Sequence, residues 1–214
     1  MFDKRESAER GDIAEPPRRR ADARRNIEAI LDAARRCLGR DPDASVNEIA
    51  AAAGVGRVTL YGHFPSRAEL VDAVVTRTLD EFDATLDGVD LTGDPRDALV
   101  RLVHAAWRPT AESALLVVAA ERALPPERLL AAHRAPMQRV RELIEHGQAH
   151  GAFREDLPLS WLVALFHSVI HAAANEISAG RLDADDAGTV IITTLLAAYS
   201  HSTNPSAGLF GQAK

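Results

Sequence analysis

From Asp22 to His201 the apolar residues of this chain recur three and four positions apart, and glycines and prolines cut the pattern into separate runs. Val, Ile and Thr never alternate with polar residues over the length of a strand, so the periodicity predicts an all-α fold. No repeat of fixed period is present. The predicted helices cover about 22–38, 45–54, 56–64, 66–86, 94–107, 111–123, 126–149, 158–179 and 184–201, about nine in all. Gly39, Gly54, Pro65, Gly93, Pro109, Pro125-Pro126, Gly151, Pro158 and Gly180 punctuate them. Two Ser-x-x-Glu patterns, Ser45–Glu48 and Ser66–Glu69, read as capping boxes. Asp94-Pro95 is a cap followed by proline at the first helical position.

Composition narrows the class. The 214 residues are 46% hydrophobic and 26% charged, as expected of a globular chain with ample core. One cysteine, Cys37, excludes a disulfide framework and fits a reducing compartment. No apolar run approaches the roughly 18 residues of a spanning helix, and the first residues lack the apolar block of a signal peptide. The expectation is a cytoplasmic protein with no membrane partner and no cofactor.

The net charge of −6 hides an asymmetry. Residues 18–67 carry ten Arg against six acidic residues, whereas residues 71–214 carry twelve basic and nineteen acidic ones. A basic front and an acidic rear imply that only the front meets a polyanion. Four segments follow: a flexible tail over 1–22, a basic front domain over 23–70 with a candidate helix-turn-helix at 45–64, a larger helical rear domain over 71–203, and a disordered tail over 204–214. Arg18, Arg19 and Arg20, with Arg24 and Arg25, read equally well as a DNA-binding arm or as a solvated tail.

Two short helices joined by Ala53-Gly54-Val55 have helix-turn-helix dimensions. At 100° per residue, Leu60 and Phe64 share the inner face of the second helix with Val55, and Gly62 centres the outer face beside Val58 and Thr59. Arg57 can read guanine, Thr59 a base or a phosphate, and Val58 a thymine methyl. Tyr61 and His63 flank that face where a phosphate backbone would pass. The amides behind Ser45 and Ser66 offer helix N-termini to phosphates, and Arg67 adds a charge.

Residues 45–67, SVNEIAAAAGVGRVTLYGHFPSR, resemble the DNA-binding signature of the TetR family of bacterial transcriptional regulators, as does the whole run 24–75. The Gly54-Val55 turn followed by Thr59-Leu60-Tyr61, His63-Phe64 and Arg67–Leu70 carries the likeness. It implies an all-helical homodimer that binds double-stranded DNA at a palindromic operator, a C-terminal domain that binds a small-molecule inducer, and no enzyme activity. By position it assigns DNA contact to Ser45, Arg57, Thr59, Tyr61, His63 and Arg67. Two positions depart from the family's pattern: Gly62 stands where a bulky residue is usual, and Gly56 replaces the common Ser or Thr cap.

Rear-domain candidates for the inducer site are Leu102, Val103, His104, Trp107, His133, Met137, Val140, Phe166, His167 and His171; a filled core is the competing account of the apolar ones, since periodicity does not tell a lining from a filling. His146/His150 and His167/His171 are each spaced i, i+4, with no third ligand apparent from sequence, so no metal is expected. The small-residue-rich helices at 158–179 and 184–201 are candidates for a four-helix dimer interface. Against the repressor reading stand a DNA-binding regulator without an inducer and a small helical enzyme acting through the rear domain.

Overall fold

The computed structural model describes residues 17–201, with side chains from Ala21 onward. Ten helices occur among them: α1 Pro17–Leu38, α2 Val46–Ala53, α3 Arg57–His63, α4 Arg67–Asp87, α5 Pro95–Glu112, α6 Ala114–Ala123, α7 Pro126–Ala132, α8 Arg134–Ala149, α9 Leu159–Ser178 and α10 Ala184–Tyr199. There is no strand in the described residues. The tail expected over 204–214 lies outside them, as does most of the one expected over 1–22. α1 starts at Pro17 rather than Asp22, so the backbone of Arg18–Arg20 is helical, with proline at the helix's first position.

Two apolar cores organise the chain. The front core joins Ile30, Ala33, Ala34 and Leu38 of α1 to Ile49 of α2, Leu60 of α3 and Leu70, Val71, Val74 and Val75 of α4. Leu116, Ala119 and Ala120 of α6 complete it, although α6 lies well beyond residue 70. The rear core is built from α5, α8, α9 and α10, with Leu86 from the far end of α4. α4 therefore buries one end in each core, and a division at residue 70 falls within its first turn.

The helix boundaries also differ from the periodicity in two places, once at a proline and once in spite of one. The expected helix at 126–149 is two helices, α7 and α8, broken at His133. Pro136 favours the break: in a continuous helix its ring would crowd the carbonyl of Ala132, whereas in the first turn of α8 it is tolerated. α5, expected to stop near Trp107, runs through Pro109 to Glu112. The Ser66–Glu69 cap also differs from the expected box. Glu69 N–H donates to Ser66 Oγ at 3.1 Å, but the Glu69 carboxylate accepts from the Ser66 hydroxyl rather than from its backbone.

Tight packing holds α9 and α10 to the rear core. The Tyr199 hydroxyl donates to the carbonyl of Leu162 at 2.8 Å from a fully buried position, and burial pushes its ionisation far up. Phe153 packs edge-on to Tyr199 with ring centroids 5.4 Å apart. Gly147 lies directly beneath Phe153, where a Cβ would stand 2.0 Å from the ring. None of the described helices is long and apolar enough to cross a membrane.

Candidate nucleic-acid interface

The start of α2 is set by local hydrogen bonds. Glu48 N–H donates to Ser45 Oγ at 3.2 Å and Ser45 N–H donates to Glu48 Oε2 at 2.7 Å, the reciprocal box expected from sequence. Those bonds hold the Glu48 carboxyl below its usual range, the Ser45 backbone bond first. Val46 and Asn47 N–H belong to the uncapped donors of that first turn and point to its N-terminal side. Gly54 closes α2 at φ 69, a left-handed conformation that a side chain would strain. Val55 N–H reaches back to the carbonyl of Ala50 at 3.1 Å, which redirects the chain into α3.

α3 divides its seven residues as its geometry requires. Leu60 is 1% exposed and Phe64, its C-cap, 9%, while Val55 packs partly buried against the same core. On the outer side Arg57, Val58 and Thr59 are exposed. Val58, a branched apolar side chain, is 88% exposed to water. A Cβ on Gly62 would meet nothing within 4 Å, so the centre of that face is open. Tyr61 and His63 are half-buried on either flank. The Arg57 guanidinium carbon sits 5.3 Å from the Tyr61 ring centroid, a cation–π contact that orders both side chains at the helix surface.

Between the two helices lies an open depression of about 410 Å³ lined by Asp43, Ser45, Val46, Asn47, Arg57, Tyr61 and Arg67. It gathers four of the seven candidate contact residues. Thr59 and His63 lie outside its lining, as does Val58. Val46 and Asn47 were not among the candidates; their signal was their place in the first turn of a capped helix.

Arg67 has a second attachment. Its guanidinium donates to the carbonyls of Ala44 and, at 2.7 Å, of Pro42, so it ties the α1–α2 turn to the start of α4. Asp43 in that turn accepts from Arg122 of α6 with both carboxylate oxygens at 2.7 Å, and the bond lowers its ionisation. On the far side of the front domain, Arg77 of α4 pairs with Asp32 of α1, and this lowers the Asp32 carboxyl.

In the rear half, Leu102, Val103, Trp107, Val140 and Phe166 are members of the buried core, with Met137 packed against it. His104 is exposed on α5. His133, His167 and His171 come together: the ring centroids of His167 and His171 are 4.2 Å apart, and His133 lies 5.6 Å from the first and 6.4 Å from the second. Burial, reinforced by the neighbouring imidazoles, lowers His171 to about 4 and shifts His167 downward. His146 and His150 form a separate, exposed pair.

Fold and site together define a helical protein with a helix-turn-helix at one end and a larger helical core at the other. Residues 30–74 match the family model described as bacterial regulatory proteins, tetR family. Over 79 residues the chain is 42% identical to the HTH-type transcriptional repressor LfrR of Mycolicibacterium smegmatis. That match spans 37% of this chain and 42% of the relative's length. The crystal structure of the TetR-like regulator LfrR from Mycobacterium smegmatis in complex with proflavine superposes with a TM-score of 0.67 at 26% identity, covering 85% of this chain and 99% of that one. The regulator FadR from Bacillus subtilis, solved in complex with stearoyl-CoA, shares the fold with a TM-score of 0.70 at 14% identity, over 80% and 98% of the two chains. The likeness to bacterial regulatory proteins of the tetR family is thus carried in sequence by the front helices, residues 30–74, and in fold by most of the chain. Regulators of this family are DNA-binding proteins, not enzymes.

Proposed function

We propose that the protein is a homodimeric repressor that holds a palindromic operator and releases it when a small molecule binds the rear domain. One observation carries this reading. α3 turns Leu60 and Phe64 into the front core and leaves Arg57, Val58, Thr59 and the bare Gly62 on an open outer surface. Such a helix has the width and the exposed chemistry to enter a major groove. Ser45, Tyr61 and His63, with the first amides of α2, then face the flanking phosphates, and Arg67 supports them by fixing the turn beneath Ser45.

Dimerisation is supported by the outer faces of α9 and α10. Trp161, Ala164, Ser168, Ala172 and Asn175 form an exposed, uncharged stripe on α9, and Thr189, Val190, Thr193 and Ala197 form another on α10. Trp161 is 59% exposed and Val190 45%. Two such stripes per subunit suit a four-helix contact that spaces the two α3 helices about 34–36 Å apart, one turn of DNA. A ligand of the rear domain acts by favouring a dimer in which that spacing is wrong, and releases DNA only by as much as it prefers that state. α4, rooted in both cores, is the element able to carry the tilt.

The test is a titration of the full-length protein against DNA from its own gene neighbourhood, at two salt concentrations and with random competitor. Specific binding in the nanomolar range that survives competitor is expected. Binding that fades equally on all sequences as salt rises would overturn the operator reading. Operator binding that no rear-domain ligand shifts would instead favour a regulator without an inducer, a reading supported by the complete burial of Leu102, Val103 and Val140.

A further inference from the structure

We propose that His133, His167 and His171 form a binding site for a divalent transition-metal ion of the zinc class. The three side chains come from two separate places in the chain, the α7–α8 break and the middle of α9. Each can offer one ring nitrogen such that all three lie within 4.8 Å of one another. The i, i+4 spacing of His167 and His171 sets two imidazoles on one face of α9, and the break that precedes Pro136 delivers the third.

The tautomer of His133 suits the task. Its Nδ1 lies 2.8 Å from the carbonyl of Leu129, to which it donates, so Nε2 keeps its lone pair for a metal. A ligand histidine is ordinarily fixed by a hydrogen bond of this kind from its other nitrogen. The rings of His167 and His171 have no hydrogen-bond partner among the described residues, and all three imidazoles are partly buried. Three neutral nitrogens leave a fourth position for water or for a donor atom of a ligand, which is the open form of a tetrahedral shell. His146 and His150, by contrast, are exposed, and His150 Nδ1 already lies 2.8 Å from the His146 carbonyl.

Binding has a mechanical consequence. With metal–nitrogen bonds of about 2.0–2.1 Å, nitrogens in a tetrahedral shell stand about 3.4 Å apart, so an ion draws the cluster inward and pulls the α7–α8 break towards α9. Both helices beside the break grip α4. Arg128 of α7 pairs with Asp72 at 2.7 Å, and Arg139 of α8 pairs with Asp83 at 3.1 Å and with Asp87. The ion therefore acts on the helix that carries α3. This regulatory half rests on the repressor reading; the binding half does not.

Tag-free full-length protein, stripped with chelator and dialysed, is titrated with Zn²⁺ by calorimetry and with Co²⁺ by visible absorption. One equivalent per subunit with a tetrahedral Co²⁺ spectrum is expected. His167→Gln and His171→Gln should each weaken binding about tenfold or more, and His146→Gln should leave it unchanged. Equal binding by the triple variant His133→Gln/His167→Gln/His171→Gln, or no stoichiometric binding by the parent protein, overturns the site. Thermal melts of the chelated forms distinguish a lost ligand from a lost fold. In the operator titration, saturating Zn²⁺ should shift the dissociation constant of the parent but not of the triple variant. Metal binding without that shift overturns the regulatory half alone, whereas failure of operator binding even without metal is a failure of the repressor reading.

Discussion

The front and rear of this molecule solve opposite problems with the same helices. In the front, small helices bury one face each, and the chemistry sits on the face left over. Leu60 and Phe64 are inside, so Arg57, Val58 and Thr59 are necessarily outside. In the rear, residues that line a cavity and residues that fill a core obey the same periodicity, and Leu102, Val103 and Val140 are wholly buried. A functional surface can thus be read from what the core excludes, but a functional interior cannot be read from what the core contains. Substitutions in the two regions should accordingly separate: rear changes move stability first, front changes move DNA binding first.

The largest effect expected is in the rear. Gly147→Ala places a methyl group where Phe153 already stands, 2.0 Å from the ring. Phe153 is held against Tyr199 and cannot easily withdraw. Overpacking of this kind costs about 3 kcal/mol, read as a lowered urea midpoint. A variant with parental stability would show that the α8–α10 contact is softer than its geometry indicates. Next is the front. Arg57→Ala should weaken operator binding by about 2 kcal/mol, near thirtyfold, while the unfolding midpoint stays within about 0.5 kcal/mol of the parent. An equal loss in stability would break the comparison, because Arg57 would then belong to the core's support. Ser45→Ala tests the boundary between the two kinds of residue. It removes the cap of α2, at about 1 kcal/mol of stability, together with a hydroxyl on the open depression between α2 and α3. Loss of both properties is expected, with the midpoint and the operator affinity falling together.

What was legible in the sequence divides along the same line. The Ser45 box, the Gly54 turn and the two faces of α3 depend on residues within a few positions of each other, and each is where the pattern placed it. Contacts that close over long separations were not legible. Arg67 was read as a charge for phosphate, yet its guanidinium reaches the carbonyls of Pro42 and Ala44. α6 lies between rear helices α5 and α8 in sequence but supplies Leu116, Ala119 and Ala120 to the front core. His133 joins His167 and His171 from the break between α7 and α8, which precedes Pro136, a proline that the periodicity of 126–149 passes over.

Gly62→Ala offers the finest test of the comparison, because it should move the two readouts in opposite directions. Inside a helix, alanine is favoured over glycine by about 0.5–1 kcal/mol, chiefly because glycine loses more backbone freedom on folding. Nothing lies within 4 Å of the added methyl group in the free protein, so no clash offsets that gain and the unfolding midpoint should rise. The same methyl group projects from the centre of the exposed α3 face, between Val58 and Thr59, where a groove floor would make its closest approach. Operator affinity should therefore fall while stability increases, most on DNA whose central bases are approached closely, with the salt dependence unchanged because no charge is lost. Stability and affinity rising together would mean that α3 meets DNA along the Arg57–Tyr61 edge instead, leaving Gly62 above the groove rather than in it.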